Sequence, residues 1–224
     1  MDANKLREIL SLCENGNPFG EKVTLVGAIK TVDADTVNLA VKNGLKVVAE
    51  NKAQEFRDKA DKIIGATHHF IGHLQTNKIK YVVGKVELIH SVDSIHLAEE
   101  INDFAIKKGL TQNILAEINI GGELSKSGFN LENAIESIKA LDKLSNVKVV
   151  GLMAMLPKAD DSEYLLSLVK KMRNLYDGFI KEGYPFYALS VGMSADYQIA
   201  IAGGSNMIRV GSQIFGKRNY EVIN

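Results

Sequence analysis

The sequence predicts a single α/β domain over residues 1–224, folded as a closed (β/α)8 TIM barrel. Short apolar segments rich in β-branched residues alternate with segments of helical periodicity, which is typical of parallel strands joined by right-handed crossovers. Eight such strand segments occur in 224 residues, a length that suits one barrel. An open doubly wound sheet is the alternative topology, but no G-x-G-x-x-G motif follows the first strand.

The predicted elements follow from short-range signals. The strands are expected at residues 23–29, 45–49, 68–72, 87–91, 113–120, 147–155, 187–191 and 206–210. Helices are expected at residues 4–13, 33–42, 53–63, 75–83, 94–108, 131–144, 161–181 and 195–202, so that every strand except the last is followed by one. Asp33 is expected to cap one helix, Asp93 or Ser94 another, and Gly109 to end the latter.

Composition narrows the functional classes. Lys and Arg together number 27, as do Asp and Glu, so the net charge is zero, which argues against a nucleic-acid partner. No apolar run is long enough to cross a membrane, and the first residues lack a secretory signal. Cys13 is the single cysteine, so no internal disulfide can form. We therefore expect a cytoplasmic protein. We also expect a monomer, although composition by itself does not give the oligomeric state.

The segment from residue 189 to residue 216 predicts a phosphate site. Gly192 and Ser194 follow the seventh strand and open a short helix, and Gly211 and Ser212 follow the eighth strand. Unpaired backbone amides beside glycines and hydroxyls bind anions, and many (β/α)8 barrels place such a site after their last two strands. Ordinary turn chemistry explains the same residues equally well.

Lys30 follows the first apolar strand directly, at the strand end where barrels of this type carry their chemistry. Partial burial disfavours the charged form of an amine, and a neutral lysine amine condenses with aldehydes to form a Schiff base. The alternative is a lysine that extends into solvent at a strand end.

Other polar residues at the strand ends suggest a ring of neutral hydrogen-bonding groups. Asn51 follows the second strand, His69 lies in the third, and Asn119 ends the fifth. Such groups suit the orientation of a flat polar ligand. His68, His69 and His73 raise a metal site as an alternative, but no carboxylate or cysteine accompanies them, so we expect no metal.

Together, these features fit pyridoxal 5'-phosphate. Its aldehyde would bind Lys30, and its phosphate would bind the two loops around Ser194 and Ser212. Arg209, near the end of the eighth strand, would face the ring nitrogen. Arginine only donates hydrogen bonds and keeps its proton, so it would leave that nitrogen unprotonated and the ring a weak electron sink. This argues against general amino-acid chemistry.

Seven motifs in order make the chain similar to a known family. They are VGAIKT around Lys30, AENKAQE, HFIGHLQTNK, INIGGELSKSG, GLMAM, LSVGMSAD and MIRVGSQIFG. The chain resembles the YggS/PROSC family of pyridoxal phosphate homeostasis proteins over nearly its whole length. The resemblance implies a barrel like the N-terminal domain of alanine racemase and a role in holding and distributing vitamin B6, without established turnover.

Carried over residue by residue, the resemblance implies a Schiff base on Lys30 and phosphate contacts from Ser194, Gly211 and Ser212. It also implies that Arg209 faces the ring nitrogen, that Asn51 lies near the lysine, and that apo-enzymes dependent on the cofactor are partners. The chain departs from the family pattern in two places, where Ile29 replaces a serine and Ala49 a glycine. We expect Ile29 to remove a hydroxyl near the Schiff base.

Three other functions compete with a cofactor carrier. The first is a pyridoxal-phosphate enzyme such as an amino-acid racemase, although no tyrosine or second lysine is an obvious opposing base. The second is a Schiff-base aldolase that acts on sugar phosphates, for which the lysine and the phosphate loops would serve the substrate. The third is a protein-interaction scaffold without any cofactor.

Overall fold

The computed structural model describes residues 1–123 and 126–216 and forms a closed barrel of parallel strands. Leu124, Ser125 and the last eight residues lie outside the described residues. Leu124 and Ser125 belong to the INIGGELSKSG motif. The strand order is β4-β3-β2-β1-β9-β8-β7-β5, and pairing of β4 with β5 closes the sheet. The bounds are β1 Thr24–Ala28, β2 Val47–Glu50, β3 Thr67–Phe70, β4 Leu88–Val92, β5 Gln112–Asn119, β6 Phe129–Asn130, β7 Val147–Ala154, β8 Ala188–Val191 and β9 Met207–Val210.

The fold class predicted from the sequence is thus confirmed, and the eight predicted strands correspond to β1–β5 and β7–β9. The two-residue strand β6 was not predicted. Among the residues that the structure describes, it pairs with the end of β5 alone, where Ile118 lies opposite Phe129, and so adds a short extension to the sheet. Two residues carry too little hydrophobic alternation to reveal a strand in the sequence.

Helices surround the barrel and connect its strands. Their bounds are α1 Ala3–Asn15, α2 Ala34–Lys42, α3 Ala53–Lys59, α4 Ile79–Val82, α5 Ile95–Lys108, α6 Ala134–Leu141, α7 Ser162–Lys181, α8 Tyr197–Ala202 and α9 Ser212–Phe215. Ser94, rather than Asp93, caps α5 by accepting the Leu97 N–H at 3.3 Å, and Gly109 ends that helix with a φ of +63°. None of the helices in the described part of the chain is long and apolar enough to cross a membrane.

Several predicted helices are shorter than expected, because their ends tighten into 3-10 turns. The expected helix 53–63 divides into α3 and the turn Ala60–Lys62, and the expected helices 75–83 and 131–144 begin with the turns Thr76–Lys78 and Leu131–Asn133. The prediction that no helix follows the last strand was wrong, since the one-turn helix α9 begins directly after Gly211. One turn is too short for a periodic signal.

Inside the barrel, an apolar layer of side chains is followed, towards the C-terminal ends of the strands, by polar side chains. We call the apolar layer the floor. The floor is a buried cluster that includes Leu88, Leu115, Ala188 and Met207. Because alternate residues of a strand share one face, the residues two positions further along these strands also face inward. Those residues are polar and buried: His90, Glu117, Ser190 and Arg209. On these four strands, the inward face at the C-terminal half of the barrel is therefore polar.

Candidate functional site

Lys30 and Asn51 follow the C-terminal ends of the neighbouring strands β1 and β2. Ala28 of β1 pairs with Ala49 of β2 in the parallel sheet. Lys30 and Asn51 are each two residues further along the sequence from this pair. The side-chain oxygen Oδ1 of Asn51 is buried and accepts no hydrogen bond from any residue in ranges 1–123 and 126–216. A buried acceptor without a donor is uncommon in proteins, and it fits a ligand that donates at this position.

The loops after β8 and β9 are tied to each other. Ser194 Oγ accepts the Gly211 N–H at 3.2 Å, and the Gln213 side chain donates to the Ser194 carbonyl oxygen. The amides of Ser212 and Gln213 form no hydrogen bond with another residue that the structure describes. These loops therefore offer a hydroxyl and unpaired amides in one place, as an anion site requires.

Gly211 brings β9 unusually close to β1. A Cβ atom added at this residue would lie 2.9 Å from the Ala28 carbonyl oxygen, which a side chain does not tolerate. Ser212, the next residue, is exposed. Because Ala28 lies two residues before Lys30, this close approach joins the loop after β9 to the lysine side of the barrel.

Arg209 is anchored at the ends of β7 and β8. Its Nη1 donates to the Ser190 carbonyl at 2.7 Å and to Ser190 Oγ at 2.6 Å, and its Nη2 donates to the Ala154 carbonyl at 3.0 Å. Burial lowers the pKa of the guanidinium to about 10, and the nearby Glu117 and Asp196 offset part of that effect. The group therefore remains a cation that is held by neutral acceptors.

A chain of hydrogen bonds continues from Arg209 through Ser190 to two histidines. His90 Nδ1 lies 3.0 Å from Ser190 Oγ, and His90 Nε2 lies 2.9 Å from His69 Nδ1. Burial lowers the pKa of His69 to about 4, and it lowers the pKa of His90 well below its usual range, so both rings are neutral near pH 7.

The positions of the protons in this chain follow from its donors. Arg209 can only donate, so Ser190 Oγ accepts from it. Among the described residues, His90 Nδ1 is the remaining partner of the Ser190 hydroxyl, which therefore donates to that nitrogen. His90 then carries its proton on Nε2 and donates to His69. The chain is fully satisfied only with this one set of tautomers.

Glu117 is another ionisable group that faces the barrel interior. Its side chain lies on β5 and is 5% exposed. Burial and the repulsion of Asp93 raise the pKa of this carboxyl to about 7, while Arg209 and His73 lower it in part. Glu117 therefore changes charge near neutral pH, which alters the electrostatic environment of Arg209.

The three histidines proposed as an alternative metal site diverge. His68 packs edge-on against Phe56, His69 bonds His90, and His73 Nδ1 lies 3.2 Å from an oxygen of Asp93. Within the described ranges, no three histidine, cysteine or acidic side chains are grouped as metal ligands. Asn119, the other member of the proposed ring, donates from Nδ2 to the Glu123 carbonyl at 2.8 Å and thus supports the loop after β5.

Ile29 and Cys13 both lie in the outer core of the protein. Ile29 is fully buried with Leu6, Ile9 and Val37 between the barrel and the helices α1 and α2. The expectation that Ile29 removes a hydroxyl next to the Schiff base was therefore wrong, because its side chain belongs to the outer face of β1. Cys13 lies in the same cluster, and burial raises the pKa of its thiol to about 12, which leaves it a poor nucleophile.

Sequence reasoning missed Ser190, His90 and Glu117. A signal was present, because His90 and Glu117 interrupt the apolar runs ELIHS and NILAEINI at positions expected to be buried. A polar residue in a buried strand needs a partner, but the partner is supplied by another strand and cannot be read locally.

Comparisons with known proteins identify the fold class and the family. The family model for the N-terminal domain of alanine racemase matches residues 19–219. An alanine racemase of Clostridium difficile 630 shares the fold with a TM-score of 0.76 at 20% identity, and the match covers 97% of this chain and 56% of that chain. The chain is thus a barrel of the alanine racemase N-terminal class.

The family of this chain is shown by relatives that match it over nearly its whole length. A pyridoxal phosphate homeostasis protein of Aquifex aeolicus is 40% identical over 218 residues, which are 96% of this chain and 96% of that protein. The one of Escherichia coli K12 is 36% identical over 208 residues, 89% of this chain and 88% of that protein. The chain belongs to the family of pyridoxal phosphate homeostasis proteins. PipY of Synechococcus elongatus, solved with PLP bound, superposes with a TM-score of 0.81 at 27% identity over 95% of this chain and 100% of that chain.

Proposed function

We propose that this protein binds pyridoxal 5'-phosphate at the barrel mouth, the end formed by the C-terminal ends of the strands and the loops that follow them. We propose that it serves the intracellular homeostasis of vitamin B6. The observation that carries the proposal is the meeting of Lys30 and Asn51 with the tied loops of Ser194 and Gly211 at one end of the barrel. The family relatives and the neighbour solved with PLP support the same ligand.

The residues at the mouth fit the chemical groups of this ligand. The Lys30 amine would condense with the aldehyde as a Schiff base, with loss of one water molecule. Ser194, Gly211 and Ser212 would bind the phosphate through hydroxyls and amides. Arg209 would face the ring nitrogen, and the unpaired Oδ1 of Asn51 would accept a hydrogen bond from the ring hydroxyl or the lysine nitrogen.

We propose further that the protein is a carrier rather than an enzyme. If Arg209 faces the ring nitrogen, it would keep that nitrogen unprotonated and so limit the stabilisation of negative charge on the ring. The protein would hold the cofactor, release it or pass it to apo-enzymes that depend on it. We propose that it does so as a cytoplasmic monomer and as a single domain.

The absorption spectrum of the purified protein tests the ligand and its attachment. We expect a visible band that borohydride removes, with the reduced adduct mapped to Lys30 by mass spectrometry. A colourless protein that cleaves a sugar phosphate would instead favour the aldolase, and a protein that takes up no cofactor on incubation would favour a scaffold.

A second experiment separates the carrier from a racemase. Amino acids are incubated with the loaded protein in heavy water, and exchange of their α-protons is followed by NMR. We expect exchange no faster than with free pyridoxal 5'-phosphate. Exchange and racemisation at enzyme-like rates, above about 1 per second, would contradict the carrier.

A further inference from the structure

The backbone directly after Lys30 adopts an unfavourable conformation. Thr31 has a φ of +63°, and it is the one non-glycine residue with a positive φ in the part of the chain that the structure describes. β-Branched residues rarely adopt this region, because Cβ crowds the backbone there. Such a conformation persists only where the surroundings enforce it, and it is concentrated at functional sites.

Two side chains of α3 hold this turn. Lys59 Nζ donates to the carbonyl oxygen of Ile29 at 2.7 Å and to that of Val32 at 2.9 Å, one on each side of Lys30 and Thr31. Glu55 Oε2 accepts the Thr31 N–H at 3.0 Å. The turn is therefore bound at both ends and at its strained centre.

The same cluster reaches β2. Lys59 forms an ion pair with Glu50, whose side chain is 1% exposed, and Glu50 Oε2 accepts the Asn51 N–H at 3.2 Å. Burial raises the pKa of Glu50, and the Lys59 ammonium offsets part of the rise. A buried ion pair contributes little net stability, so its presence under this turn calls for another explanation.

We propose that Lys59, Glu50 and Glu55 are positioning residues for Lys30. They force the turn after β1 into the conformation that presents the lysine beside Asn51 at the barrel mouth. The proposal rests on the proposed attachment of pyridoxal 5'-phosphate to Lys30. It predicts that weakening the cluster lowers the yield of the covalent adduct more than it lowers total binding of the cofactor.

The central experiment compares Lys59→Met with the matched control Lys52→Met. Lys52 lies on the same segment and pairs with Glu55 at 3.4 Å, but its side chain is 71% exposed and it donates to no carbonyl of the turn. In the ligand-free protein, Lys59→Met should speed amide hydrogen exchange at Thr31 and Val32 at least tenfold. After loading with pyridoxal 5'-phosphate, the borohydride-fixed fraction of bound cofactor should fall at least fivefold. Lys52→Met should change both by less than twofold.

Two further variants separate positioning from general damage to the fold. Lys59→Arg keeps the charge and should restore at least half of the adduct. Glu55→Gln leaves the buried Glu50–Lys59 pair intact, so it tests the proposal even if Lys59→Met fails to fold. It should raise exchange at Thr31 and lower the adduct yield about threefold.

A second-site change tests the strain itself. Glycine adopts a positive φ without support, so Thr31→Gly in the Lys59→Met background should recover part of the lost adduct. No recovery, or unchanged exchange and adduct in Lys59→Met, overturns the proposal. If the wild-type protein formed no adduct on Lys30, the proposed function would fail, whereas exchange in the ligand-free protein would still decide whether the cluster holds the turn.

Discussion

The two sides of the barrel mouth are held by different kinds of interaction. On the β1–β2 side, the turn of Lys30 is held by side chains that carry full charges, Lys59, Glu50 and Glu55. On the β8–β9 side, the cation Arg209 is held by backbone carbonyls and a serine hydroxyl, which is backed by neutral histidines.

This difference has physical consequences. An ion pair depends on the charge state of both partners, and its partly exposed members are screened by salt. A buried chain of neutral hydrogen bonds is insensitive to salt but fails when any member is removed, because the next member is then left unpaired. We therefore expect substitutions that change a charge to perturb the Lys30 turn. We expect the position of Arg209 to depend instead on single neutral hydrogen-bonding groups, such as the Ser190 hydroxyl.

The largest expected effect is on the lysine side. Lys30→Ala should abolish the borohydride-fixed adduct and the visible band, while the cofactor still binds weakly as the free aldehyde. The free energy of unfolding should change by about 0.5 kcal/mol or less, because the side chain is not in the core. Spectra and mass spectrometry of the reduced protein provide the measurement.

Lys126→Ala and Lys78→Ala are the controls for that change. Lys126 is paired with Glu123, and the Lys78 ammonium lies 5.9 Å from the centroid of the Tyr81 ring. Both should keep the full adduct. An adduct on either lysine, or full yield in Lys30→Ala, would refute the placement of the site on the first strand.

The next effect concerns Glu117 of β5, which lies outside the hydrogen-bonded chain of Arg209 but interacts with its charge. The carboxyl of Glu117 has a pKa of about 7 in the folded chain against an ordinary value of 4.5. The folded chain thus holds a proton that the unfolded chain releases between these values, so this residue makes stability fall as the pH rises from 4.5 to 7. Glu117→Gln should therefore raise the free energy of unfolding by about 3 kcal/mol at pH 8 and leave it unchanged at pH 4.

Urea unfolding at the two pH values measures this difference. His69 gives the free energy of unfolding the opposite pH dependence. Its pKa is lowered from 6.5 to about 4, so its contribution to stability is lost as the pH falls through that range. That contribution is common to the wild type and the variant and cancels in the comparison. Equal stability of both proteins at pH 8 would show that Glu117 is not held in an environment that disfavours its charge.

The phosphate loops should show an intermediate effect on retention of the cofactor. Ser194→Ala removes a hydroxyl that also ties the two loops through the Gly211 N–H, and Ser212→Ala removes an exposed hydroxyl. Hydrogen bonds to charged groups contribute about 1.5–3 kcal/mol. Ser194→Ala should thus weaken binding about 10- to 100-fold, and Ser212→Ala should have less effect, as measured by equilibrium dialysis. Unaltered binding in the double variant would remove these loops from the site.

The smallest expected effect tests the chain of hydrogen bonds that runs from Arg209 through Ser190 to His90 and His69. Ser190→Ala removes an acceptor from Arg209 and leaves His90 Nδ1 without its donor, which should lower the free energy of unfolding by about 1–2 kcal/mol. Ser205→Ala is the matched control, because Ser205 is also a buried serine, but its Oγ bonds the backbone of β8 and β9. Guanidinium ¹⁵N signals of Arg209 should broaden in Ser190→Ala alone. Equal signals in both variants would show that the serine does not hold the arginine.

The sequence by itself determined the barrel, because eight apolar strand segments alternating with helical segments leave few other arrangements for a chain of this length. It also indicated Lys30, Asn51 and the glycine–serine loops, since each lies directly after a strand and strand ends are recognisable locally. Only the tertiary structure decided what holds these residues. The partners of Arg209 come from β7 and β8. Those of the Lys30 turn come from α3, 24 to 30 residues further along the sequence. Such contacts depend on register and packing between distant segments, which no local pattern in the sequence encodes.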